Sequence, residues 1–230
     1  MHRRWSRVFA VASVVTPIML GVCVGAVASG AIRADPASGR VLTGFVSPWL
    51  RPFPFAIGLL TLAIFAFLAA VYLTLETRDP DLQEDFRRRA LSAAVTVGVL
   101  AFASLVLSAA GAPLIHQGLT GRLWSIPFQA LTGAAAVGAI AALWVRRYTA
   151  ARALAIIQVT LILWGWGAAQ FPHLVVPDLT FPGTAAPASV LRVLLVALAV
   201  GAALLMPSLW YLFRIFKSGS RDEVREPGAM

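Results

Sequence analysis

The residues of this chain best equipped for chemistry are few and far apart. Trp166 and Gln170 lie four apart in Gly165-Trp166-Gly167-Ala168-Ala169-Gln170-Phe171-Pro172, a string preceded by Gln158-Val159-Thr160. Gly-Trp-Gly sets a large indole between two residues without side chains, so a neighbouring helix or a lipid-like ligand can come close. Gln170 adds a donor and an acceptor, and Pro172 ends the helix. Physical chemistry alone reads here a packing site with one polar contact. Glu76 closes a long apolar run at what charge placement makes the inner face, and a carboxylate that snorkels to a membrane edge needs no function. His2, His116 and His173 are scattered, and the chain has no HxxxH, no CxxC, no metal-spaced acid cluster and no glycine-rich phosphate loop. The single cysteine, Cys23, excludes an intramolecular disulfide. On its own the chain is expected to hold neither haem nor metal.

The elements that must position these residues are membrane spans. Six windows contain no charged residue: 8–32, 53–75, 90–115, 123–145, 153–172 and 193–213. Crossing the hydrocarbon core takes about 20 apolar residues at 1.5 Å rise each, and all six reach that length. Composition agrees, at 59% hydrophobic, 13% charged and a mean hydropathy of +0.81. The expected fold is all-α, a polytopic transmembrane bundle of about six helices at 8–30, 53–75, 90–111, 124–145, 153–172 and 191–213. Residues 1–217 form one transmembrane domain and 218–230 a disordered cytoplasmic tail; no strand is expected. The basic, then apolar start, with Ala26-Val27-Ala28-Ser29-Gly30, resembles a cleaved signal, but its apolar stretch is long and is read as a retained span.

Charge placement orients the bundle. With a cytoplasmic N-terminus, fourteen of the nineteen Lys and Arg fall on inner segments and five, Arg33, Arg40, Arg51, Arg122 and Arg192, on outer ones. That is the positive-inside asymmetry, and it puts both termini in the cytoplasm. The formal charge of +9 is thus accounted for by membrane lipids and leaves nothing for nucleic acid to explain. Asp81 and Glu84 form a capping-box pattern at a helix start, and Arg146, Arg147 and Arg152 bracket a tight turn. Gly21 with Gly25, and Ala134 with Gly138, have the spacing that lets helices approach in lipid. The uncharged polar residues of the spans (Ser13, Thr16, Ser104, Gln129, Thr132, Gln158, Thr160 and Gln170) are assigned to hydrogen bonds between helices. Charge-free interiors argue against a proton pump and against a small permease.

The string at 158–172 resembles subunit II of the cytochrome bd-type quinol oxidases. So do Phe65-Ala66-Phe67-Leu68-Ala69-Ala70-Val71-Tyr72-Leu73 followed by Glu76, and Phe86-Arg87-Arg88-Arg89-Ala90. Further matches are Trp5 with Phe9, Thr16-Pro17, Gly25-Ala26, Ala151-Arg152-Ala153 and Pro207-Ser208-Leu209. The resemblance runs from about Trp5 to Lys217. Members of that family carry about three further helices before the segment like Trp5, including an acidic residue of a proton path that nothing here can inherit. A separate polypeptide, an upstream frame, or plain absence would each account for the difference.

The resemblance implies a non-haem, accessory subunit of a bd-type quinol:oxygen oxidoreductase in the bacterial cytoplasmic (inner) membrane. Haem b and haem d are then expected in a partner, the haem-bearing subunit I, and a quinone is a possible further ligand. Assembly and haem retention are the implied roles, with Trp166 and Gln170 as contacts to subunit I or a quinone and Glu76 as a candidate proton-entry group. The alternative is a partial structural subunit without activity of its own.

Overall fold

The computed structural model describes residues 2–222, with side chains over 4–215. The chain divides into two compact units, Met1–Gly183 and Thr184–Met230. In the first, α1 (His2–Ala28), α2 (Pro52–Glu76), α3 (Pro80–Gly111), α5 (Ser125–Trp144) and α6 (Tyr148–Gln170) are long helices, and α4 (Pro113–Thr120) is short. A small hairpin of β1 (His173–Val175) and β2 (Leu179–Thr180) and the short α7 (Phe181–Thr184) follow. The second unit is built on α8, Ala188–Asp222, with Pro207 inside it. Six of these helices are long and apolar enough to cross a bilayer, as the charge-free windows require. The protein is a multi-pass membrane protein.

The helix faces are inverted relative to a soluble core. On α3 the small or slender Ala90, Ala94, Val97, Ser104 and Ser108 are buried, while Val95, Val99, Phe102 and Val106 point outward. Lipid is as apolar as a leucine side chain, so large apolar residues gain little by turning inward and close packing decides what does. One buried cluster holds Phe67, Val71, Ala90, Val97, Leu143 and Ala155, joining α2, α3, α5 and α6. A second, at the opposite end, holds Ala28, Phe53, Ile57, Ala112 and Ile115, with Trp166 against it.

Helix boundaries follow local chemistry. Pro80 occupies the first turn of α3, and the Asp79 carboxylate accepts the Asp81 N–H at 2.9 Å. The cap is therefore Asp79, and the expected Asp81–Glu84 capping box does not form: with Pro80 already helical, Asp81 lies inside the first turn. Glu84 turns instead to Arg87 (2.6 Å), Arg88 (3.3 Å) and, across to the α5–α6 turn, Arg146 (3.3 Å). Gln83 donates to the Thr74 carbonyl at 2.7 Å and ties α3 back to α2. The α5–α6 turn does form an antiparallel hairpin, with Arg146 in the left-handed region at φ 59°.

Three further expectations are corrected. Two short strands exist, because Pro177 and Asp178 turn the chain after α6 and let His173 pair with Thr180. Ala134 is exposed, and the buried small stripe of α5 is Ala135, Ala139 and Ala142, one residue further on; two small-residue registers overlap there, and a Cβ on Gly138 would meet the Leu154 side chain, not backbone, first. Most in-span hydroxyls do not bridge helices: Ser13 and Thr132 bond the carbonyls of Phe9 and Phe128 one turn back, the local alternative open to Ser and Thr. Helix α8 continues to Asp222, into the stretch expected as a tail; residues 223–230, and the side chain of His2, lie outside the described residues.

Candidate functional site

Trp166 sits on the inner side of α6, half-buried, its indole stacked on the Phe53 ring at 6.2 Å between centroids and 7° between planes. Phe53 is held by the start of α2, where Pro52 and Pro54 fix the backbone entering the helix. The indole Nε1–H donates to Gln170 Oε1 at 3.0 Å, and Gln170 Nε2 donates to the Leu174 carbonyl at 3.2 Å. The four-residue spacing thus makes one hydrogen-bonded unit that also ties α6 to the hairpin. Of the two glycines flanking Trp166, Gly165 is the one that admits a neighbour, since a Cβ there would lie 3.1 Å from the Phe128 ring; the space around Gly167 is open.

Beside this unit lies a cavity of about 350 Å³ between α2, α3, α4, α5 and α6. Phe53, Phe128 and Trp166 are its aromatic walls, and Ser104, Ser108, Gln129 and Thr132 supply its polar atoms. Three of those four are satisfied. Ser108 Oγ donates to Leu105 O and meets His116 Nδ1 at 2.9 Å. Thr132 bonds its own helix, and Gln129 Nε2 donates to the Leu119 carbonyl of α4. Ser104 Oγ is buried without a partner. A buried hydroxyl left unpaired costs about 1–3 kcal/mol, and Ser104 Oγ is closed off from a water-sized group.

Glu76 lies elsewhere. It is the last residue of α2, exposed at the arginine-rich end, without a hydrogen bond or ion pair among the described residues. The structure brings Trp166 and Gln170 together and leaves Glu76 apart from both. At the other end of the bundle, Asp178 accepts two hydrogen bonds from Arg33, at 2.7 and 2.9 Å, and one from the Ala34 N–H at 3.0 Å. Hydrogen bonds from the Arg33 guanidinium, and then from the Ala34 N–H, hold this carboxyl below the usual carboxylate range. The pair fastens the 31–51 connection to the hairpin.

Sequence reasoning alone did not find Phe53, Phe128 or the Ser108–His116 pair. The available signal was the four-residue step from Ser104 to Ser108, which puts both hydroxyls on one helix face; nothing local tells that His116 comes back on a short helix to meet it.

No curated protein sequence matches the chain. A sequence model of cytochrome bd terminal oxidase subunit II matches residues 1–216. The chain belongs to that family. Its fold is also similar to a solved chain of the bd oxidase from Geobacillus thermodenitrificans, with a TM-score of 0.71 at 20% identity, covering 88% of this chain and 61% of that one. This subunit II family member therefore spans about three fifths of the length of the chain it resembles.

Membership of a bd oxidase family raises haem, and the residues at the cavity can be tested for it. An axial ligand must be His, Met, Cys or Tyr. None of these lines the cavity. The described residues contain no group of three His, Cys, Asp or Glu that could hold a metal ion. The cavity of this subunit II does not fit a haem.

Proposed function

We propose that this chain is the accessory, non-haem subunit of a cytochrome bd-type quinol:oxygen oxidoreductase in aerobic respiratory electron transport. It lies in the bacterial inner membrane with both termini cytoplasmic and packs against a haem-bearing subunit I that holds haem b and haem d. Its role is to support assembly of that partner and retention of its haems. The observation that carries this reading is the family match over nearly the whole chain on a six-span fold.

In this reading Trp166 and Gln170 are positioning residues, and the cavity beside them takes a quinone or is closed by contact with subunit I. A quinone is flat and largely apolar, which suits the aromatic walls. Glu76, exposed and unpaired, is assigned proton uptake. Replacing it by Gln then slows oxygen consumption; unchanged turnover removes the assignment.

The deciding experiment is a tagged purification from native membranes in mild detergent, followed by a reduced-minus-oxidised spectrum. Haem b and d bands co-eluting with a second polypeptide are expected. A stable, colourless preparation without a partner overturns the proposal. Trp166→Ala should lower haem content per complex; unchanged haem content and oxygen uptake would leave Trp166 a packing residue only.

A further inference from the structure

We infer that the open groove between α2 and α3 is a retention site for one anionic phospholipid, with an acyl chain along the groove and the phosphate at Arg89. This inference does not depend on the oxidase reading. The groove has a volume of about 610 Å³, and its floor is the alanine face of α2: Ala63, Ala66, Ala69 and Ala70. It runs along α2 from Leu59 to Leu73, about 21 Å at 1.5 Å per residue. One leaflet of hydrocarbon is about 15 Å deep, half of a ~30 Å core, so a single acyl chain fits end to end.

The polar groups of the lining narrow the occupant. Ser92 and Thr96 both face the groove, but each hydroxyl bonds its own helix, to Arg89 O and Ser92 O at 2.9 Å. Neither asks for a partner, so the walls behave as hydrocarbon. Arg89 is the one charged residue of the lining and stands at one end of it. Its Nε engages Asp85 at 2.8 Å, and a guanidinium carries five N–H donors in a fork that matches phosphate. Arg88 stands beside it, 75% exposed. The two connections at that end, 76–89 and 146–152, carry seven arginines (Arg78, Arg87, Arg88, Arg89, Arg146, Arg147 and Arg152) against five carboxylates. A basic mouth on an apolar groove between spans is the pattern of anionic headgroup recognition.

The test uses the full chain with whatever co-purifies, reconstituted with dioleoyl phosphatidylglycerol or with the phosphatidylcholine of the same chains. Native mass spectrometry then follows lipid retention during stepwise delipidation. The glycerol lipid should be held at least tenfold longer than the choline lipid. Arg89→Gln should cut that preference below threefold. Ala66→Leu with Ala69→Leu, both at exposed positions, should do the same by filling the groove while leaving the thermal midpoint unchanged. Equal retention of the two lipids, or a preference that survives either variant, overturns the proposal. So does a photoreactive residue at Ala66 that captures a polypeptide and no lipid.

Discussion

Along α1 and α2 small residues draw two backbones into contact, whereas beside Trp166 residues of similar size leave a space. At the first seam the approach is reciprocal. A Cβ on Gly21 would meet Thr61 Oγ1, the Ile57 carbonyl at 2.6 Å and Gly58 Cα at 2.7 Å. A Cβ on Gly58 would meet the Ile18 carbonyl at 2.8 Å, and one on Gly25 would meet Pro54 Cα at 2.7 Å. At the cavity, Gly165 faces the Phe128 ring instead of backbone, and Phe53, Phe128 and Trp166 stand between the helices as its aromatic walls. A small residue closes a helix pair only when the opposing helix offers a small residue or bare backbone. Opposite an aromatic prop it becomes the wall of a cavity.

The comparison breaks most decisively at the seam. A Cβ at Gly58 would meet both the Ile18 carbonyl and Val22 Cγ2 at 2.8 Å, and the carbonyl, being backbone, cannot swing aside for Gly58→Leu. Overpacking a tight interior costs about 1–3 kcal/mol and occasionally more, and a backbone obstacle puts this variant at ~3 kcal/mol or above. Thermal unfolding in detergent should show a collapsed midpoint or loss of monodisperse protein. Gly167→Ala is the matching control, with nothing within 4 Å of its Cβ position; it should be neutral or stabilise by up to about 1 kcal/mol through helix propensity. Equal damage from both would mean that glycine matters here for flexibility and not for approach.

Two serines on one face of α3 sharpen the same contrast at smaller scale. Ser108→Ala removes the contact to His116 and should cost about 0.6 kcal/mol, at most ~1.7, as hydrogen bonds between spans do. Ser104→Ala removes an unpaired buried hydroxyl and should be neutral or stabilising by up to ~1 kcal/mol. The sign for Ser104 also reads the cavity: destabilisation on removing this hydroxyl would show that it has a partner in the purified protein.

The spans and the seam were legible in the sequence because each rests on a local pattern. Charge-free length marks a span, and Gly21 with Gly25 marks a close face whatever lies opposite. The α5 stripe shows the limit. Ala134, Ala135, Gly138 and Ala139 satisfy the same spacing in two registers, and only the position of α6 chooses Ala135 and Ala139. Trp166 and Gln170 were singled out together by the residue types of the Gly165–Pro172 string, but the cavity was not, because its walls come from five helices. The hairpin was hidden by its brevity: three residues and two, after a helix, carry no alternation to read.

The Arg33–Asp178 pair adds a pH test at the hairpin end. Asp178 has a folded pKa below its ordinary value of about 3.9. Its contribution is therefore complete above pH ~4 and is lost only as pH falls through the lower folded value. Proteolysis of the 31–51 connection should be constant from pH 8 to about pH 5 and rise below about pH 4. Asp178→Asn should give the fast rate at every pH. A rise near pH 6.5 would instead point to a histidine.

The smallest effect sits at the opposite end, where Arg146 joins two opposed terms. Its left-handed backbone, at φ 59°, costs an L residue roughly 1–2 kcal/mol that glycine does not incur. Its ion pair with Glu84, at 3.3 Å and with Arg146 67% exposed, is worth about 0.2–1 kcal/mol at best. Arg146→Gly should therefore stabilise the hairpin slightly, by a few tenths to ~1 kcal/mol, seen as a higher unfolding midpoint in detergent. Combining it with Glu84→Gln isolates the pair, because Glu84 also serves Arg87 and Arg88 and its removal alone would mix three contacts. A loss above ~1 kcal/mol for Arg146→Gly alone would mean that the Glu84 contact outweighs the strain. The α3–α5–α6 end would then be held by charge to a degree that the alanine-packed core beneath it does not require.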